Sequence, residues 1–111
     1  IESVVAEVLF MGTEAETSGL EALNAVKDRE GLNDDDAAVA RTTGILIQLI
    51  NDEMIEVWLG DPNSREPVCH PGDPASSQTI TPERLLTMDE PDGRMLVYAT
   101  TEKGESALRG T

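Results

Sequence analysis

Residues 45–59, ILIQLINDEMIEVWL, constrain the fold of this chain more than any other stretch. The first six are apolar on nearly every side of a helix, and only Gln48 interrupts them. Asn51-Asp52 then breaks the pattern. From Met54 to Leu59 the apolar residues alternate, with Ile55, Val57 and Leu59 on one side and Met54 and Trp58 on the other. A period of 3.6 passing into a period of 2 means a buried helix feeding a strand with almost no linker. The strand then needs a partner, and Met95–Ala99 is the other short apolar run able to supply one.

Upstream, helical spacing recurs twice. Val4, Val5, Val8 and Leu9 define an amphipathic first helix, which Gly12 is expected to end. Ser18 and Glu21 have capping-box spacing ahead of Leu20, Leu23 and Val26, which predicts a second helix running to about Arg29, with Gly31 as its stop. Asn33 to Asp36 supply a cap and three carboxylates for a third helix carrying Val39, Leu46, Leu49 and Ile50. Downstream, Asp92-Gly93 is a turn signal, and Thr101 is placed to cap a final helix running through Leu108. All six prolines fall between Gly60 and Pro91. That stretch reads as a long loop, interrupted by one short helix near 82–88 with Thr81 as cap and Pro82 at its first position. Length fits a single domain over residues 1–111. Leu23, Val39, Leu46, Leu49, Ile50, Ile55, Val57, Leu96 and Leu108 are the predicted core.

The order is three helices, a strand, a long loop, a strand and a helix. It predicts an α+β winged helix, with helices two and three as a helix-turn-helix and a two-stranded antiparallel wing. Asp92, Arg94, Thr101 and Gly104 stand where MarR-like winged-helix regulators carry a D-x-R turn and a T-x-x-G helix start. LIQLINDEMIEV is similar to the stretch in which such a regulator's recognition helix enters the first wing strand. The resemblance covers about residues 18 to 59 and 92 to 104. Three features depart from it. Met54-Ile55 replace a usual Gly-Leu or Gly-Ile pair, the wing loop is about thirty residues instead of a few, and the sequence runs seven residues past Gly104, into the region where the family's long C-terminal dimerisation helices are expected. The resemblance implies a transcriptional-regulator role on duplex DNA, with Arg41, Thr42, Thr43 and Gln48 on the third helix and Arg94 in the wing as contact residues.

Charge opposes that role at ordinary salt. The chain carries 22 acidic against 8 basic residues, a net charge of −14, and phosphate attraction depends on Lys and Arg. Three causes fit: a solvating coat, adaptation to a saline cytoplasm, or a surface that mimics DNA or meets a basic protein. In strong salt the Debye length falls to about 3 Å, so charge would no longer forbid DNA. The alternative function is therefore an acidic winged-helix interaction module, with Asp34, Asp35 and Asp36 meeting the partner.

Catalytic and metal signals are absent. Cys69-His70 pairs the single cysteine with the single histidine, and neighbours in extended chain point opposite ways, short of a zinc set. No nucleotide loop or calcium loop occurs. We expect no enzyme, no cofactor and no metal. Ile1 is not a start residue, so the chain reads as a trimmed piece. Glu2 and Glu7 stand where a signal peptide would be basic, and no apolar run can span a bilayer. One cysteine agrees with a reducing, cytoplasmic setting.

Overall fold

The computed structural model describes residues 2–60, 69–74, 76–86 and 95–110. The expected D-x-R turn, Arg94 included, lies outside these residues.

Several helices start where a side chain can receive an otherwise orphaned amide. Ser18 Oγ accepts from the Glu21 amide at 3.2 Å, and the Glu21 carboxylate accepts from the Ser18 amide at 2.8 Å. This reciprocal cap begins α2 (Gly19–Glu30), and Gly31 closes it in the left-handed conformation at φ 63°. Asp34 caps α3 (Asp35–Asn51) by accepting from the Asp36 amide at 3.1 Å. Thr101 caps α6 (Glu102–Arg109) by accepting from the Gly104 amide at 3.2 Å. All three caps stand where the sequence puts them.

The first helix, α1 (Ser3–Glu14), does not stop at Gly12. Gly12 lies on its buried stripe, four positions after Val8, and a Cβ there would strike Thr100 Oγ1 and approach a Tyr98 ring carbon to 2.9 Å. Glycine is required for close approach, not for a turn. The approach is tied by two hydrogen bonds: the Tyr98 hydroxyl donates to the Val8 carbonyl at 2.8 Å and Thr100 Oγ1 to the Leu9 carbonyl at 2.7 Å.

The two predicted strands pair antiparallel as β2 (Ile55–Gly60) and β3 (Met95–Thr100), from Ile55↔Thr100 to Gly60↔Met95. The sheet is nevertheless three-stranded. A two-residue β1 (Thr17–Ser18) joins the other side of β3, giving the order β1-β3-β2. Trp58, on the face opposite Val57, is buried as well, at 6% exposure.

The proline-rich segment is more than a loop. Its described parts form α4 (Ser76–Thr79) and α5 (Pro82–Leu86), the second capped by Thr81 as expected, while residues 87 and 88 of its expected span lie outside the described residues. α5 packs on α2 and β3, and α4 on α3. Cys69, Ile80 and Leu85 enter the same core as Val8, Leu46 and Leu96. The described parts of the insertion are thus built into the fold. Most predicted core positions are buried, while Val39 and Leu108 pack only partly against the cluster.

The joint between α3 and β2 holds the one left-handed non-glycine among the described residues, Glu53 at φ 61°. It sits one position ahead of Met54-Ile55. Thr101 clasps this joint, its hydroxyl donating to the Glu53 carbonyl at 2.7 Å and its amide to the Met54 carbonyl at 2.9 Å. Gly104 then lies directly against that Met54 carbonyl, where a Cβ would collide. The T-x-x-G spacing therefore has a physical reason: the threonine caps and clasps while the glycine lets α6 close on the joint.

Candidate functional site

Helical periodicity gives α3 a buried stripe and an open one. Ala38, Thr42, Ile45, Leu46, Leu49 and Ile50 are buried, whereas Ala37, Ala40, Gly44 and Gln48 face solvent. The open stripe begins at the carboxylates of Asp34 to Asp36 and is otherwise low and uncharged.

The five residues assigned to duplex contact do not converge. Thr42 is 0% exposed, because its position four after Ala38 and four before Leu46 turns it into the core. It offers nothing to a base edge, so this expected contact is corrected. Thr43 is half-buried at one border of the open stripe, and Gln48 lies on the stripe itself. Arg41 stands at the other border, and its guanidinium is engaged by two carboxylates. Its Nε donates to Glu30 at 2.7 Å and its Nη2 to Glu2 at 2.7 Å, joining α3 to the end of α2 and the start of α1. The hydrogen bond to Glu30 foremost, and the charges of both carboxylates, raise the Arg41 pKa further. Arg94 lies outside the described residues.

The remaining described cations are also held. Lys27 meets Asp35 at 2.8 Å, Arg29 meets Glu7 at 3.1 Å, Lys103 meets Glu53 and Arg109 meets Glu105 at 4.0 Å each, and Arg84 donates to the Thr79 carbonyl. Asp34 and Asp36 make no ion pair among those found for the described residues, and both are exposed. Among the described residues, Lys27 alone neutralises part of the acidic cluster at the head of α3.

Cys69 and His70 separate as extended neighbours should. The Cys69 amide donates to the Val57 carbonyl at 3.1 Å along the outer edge of β2, its side chain is 6% exposed, and His70 points to solvent. Burial pushes the Cys69 thiol above its ordinary pKa, which removes thiolate at neutral pH. Among the described residues, no three His, Cys, Asp or Glu side chains gather as a metal site, and no helix is long and apolar enough to cross a membrane.

One surface feature escaped the sequence reading. Phe10, the only phenylalanine, is 52% exposed on α1. The signal was present, since position 10 falls off the stripe of Val4, Val5, Val8 and Leu9. No protein-family model, curated protein or solved structure matches the chain.

Proposed function

We propose that this chain is a winged-helix module which docks on a basic protein partner through the open face of α3. The layout supports the winged-helix part. Three helices precede β2 and β3, α2 and α3 pack as consecutive helices, and β1 enters the sheet between α1 and α2. One observation carries the choice of partner. The head of α3 presents Asp34 and Asp36 outward, while Arg41 is drawn aside by Glu2 and Glu30. Positive potential across an interface would complement that face, whereas a phosphate backbone would meet carboxylates first.

A duplex-reading role is the second possibility, favoured by the open α3 stripe with Gln48 on it. Exposed ion pairs contribute about 0–1 kcal/mol, so Arg41 can exchange its carboxylates for phosphate once salt has screened the acidic surface. Fluorescence anisotropy with a labelled random duplex and a labelled lysine-rich peptide, each titrated from dilute buffer to molar KCl, separates the two. The docking role expects peptide binding that weakens with salt. It also expects loss of that binding on replacing Asp34, Asp35 and Asp36 by Asn, which preserves the helix cap. Duplex binding at any salt, abolished when Arg41 and Arg94 become Ala, would overturn it.

A further inference from the structure

The outer edge of β2 holds an unpaired position. In an antiparallel pair, residues alternate between exchanging both hydrogen bonds with the partner strand and turning them away from it. The Thr101 amide donates to the Met54 carbonyl, so the even-numbered positions of β2 face β3. Ile55, Val57 and Leu59 therefore turn their amides and carbonyls to the edge. There the Val57 carbonyl accepts from the Cys69 amide. Ile55 meets no such partner among the described residues, although only 3% of it is exposed. Pro71 lies beside it and has no amide to give. A buried amide and carbonyl left unpaired cost free energy, and an open strand edge is a template for another strand.

We infer that an extended, basic segment of a partner protein adds to β2 at Ile55, laying a lysine or arginine side chain over Glu53 and Glu56. Ile55 borders a groove of about 310 Å³. Ile50, Ile55 and Pro71 supply its apolar lining, and the exposed Glu53, Glu56 and His70 its polar lining. Charge complementarity identifies the occupant. Asp52 and Glu102 are exposed next to Glu53 and Thr101, and Asp73 follows three positions after His70. Against these carboxylates stands Lys103, 4.0 Å from Glu53 with 60% of its side chain exposed, which leaves the acidic groups in excess. A second copy of net charge −14 would bring carboxylates to carboxylates. Main-chain hydrogen bonds to Ile55 hold the added segment, and the groove selects its side chain. The inference does not rest on docking at the open face of α3. Asp34 heads that helix and Glu53 follows its last turn, about 25 Å away at the rise of an α-helix.

The probe is a fluorescein-labelled peptide of alternating arginine and valine with both ends capped, titrated into the 111-residue chain in dilute buffer. Two further peptides carry methyl groups on the backbone nitrogens of the arginines or of the valines. Each keeps every charge and blocks one edge of the strand. One of the two should bind about tenfold more weakly, the worth of roughly one hydrogen bond. On binding of the parent peptide, hydrogen exchange followed by NMR should show the Ile55 amide becoming protected. Glu53→Gln combined with Glu56→Gln should also weaken binding about tenfold. Both side chains are exposed, and thermal melts check that the fold is kept. Absence of binding overturns the inference, and that is the result if other residues of the chain already fill the groove. An Ile55 amide that stays unprotected overturns it, as does equal binding of all three peptides. Binding lost when Asp34, Asp35 and Asp36 become Asn, yet indifferent to the two glutamines, would assign the peptide to α3 and sink this inference alone.

Discussion

The open face of α3 and the α1–α6 face occupy one small α+β body yet present opposite chemistry. The first is low, polar and headed by carboxylates; the second is apolar around Phe10 and Leu108, with Glu105 and Arg109 beside them. Charge-driven contact fades with salt, whereas apolar contact does not. A surface cannot be assigned a partner from net charge alone, because −14 describes neither face. What matters is which charges are already engaged. On α3 the arginine is held by Glu2 and Glu30 and two aspartates are left to solvent.

Both faces rest on the same core, and the largest expected effect removes that support from both. Leu46 is 1% exposed and belongs to the cluster that joins α3, the sheet and the insertion. Leu46→Ala should cost about 2–5 kcal/mol as a buried truncation. Denaturant unfolding measures the loss, and the proposed binding of a lysine-rich peptide at α3 should fall with it. If that binding keeps its full strength while stability drops, the α3 face does not depend on this core.

That shared core was legible only in part. Capping chemistry and periodicity are local, so Ser18-Glu21, Asp34, Thr101 and the pairing of β2 with β3 could be read from the chain. β1 could not, because Thr17 and Ser18 are too few to alternate, and only the passing of β3 makes them a strand. Cys69, Ile80 and Leu85 lie on segments too short to show a period, so nothing local marks them as core. Thr42 is the opposite case. Its spacing from Ala38 and Leu46 marks it as buried, but a recognition-helix analogy gave it a base to contact. Phe10 was likewise marked by its phase on α1, and the groove beside it appears only when α6 is seen to lie there.

A smaller effect isolates the α1 side. The Tyr98 hydroxyl, buried under α1, donates to the Val8 carbonyl and holds the helix to β3. Tyr98→Phe should cost about 0.5–1.5 kcal/mol, the net worth of one buried hydrogen bond. It should loosen the α1–α6 face before the α3 face. The same burial raises the Tyr98 pKa above its ordinary value. An unfolded tyrosine titrates near 10. Above that pH the unfolded chain gives up the proton while the folded chain keeps it. This contribution to stability is therefore complete below about pH 10 and declines as pH rises past it. Urea melts at increasing alkaline pH should show that decline in the parent and less of it in Tyr98→Phe. An identical pH slope in the two would remove Tyr98 from the account.

The smallest effect bears on α3 alone. Arg41 is 35% exposed and bonded to two carboxylates that are themselves in part solvated. Such pairs contribute little because water competes for both partners and salt screens them, so Arg41→Ala should cost less than about 1 kcal/mol in dilute buffer. The difference should shrink further in molar KCl. Its effect on binding is the more telling measurement. If Arg41 serves to tie α3 to the ends of α1 and α2, replacing it removes a cation near the docking face and frees Glu2 and Glu30. Affinity for the lysine-rich peptide should then hold or rise. If Arg41 leaves its carboxylates to hold phosphate, the same replacement should abolish duplex binding in strong salt and leave peptide affinity near zero throughout. The two results exclude each other, so one substitution, stable in either case, decides what the face of α3 is built to meet.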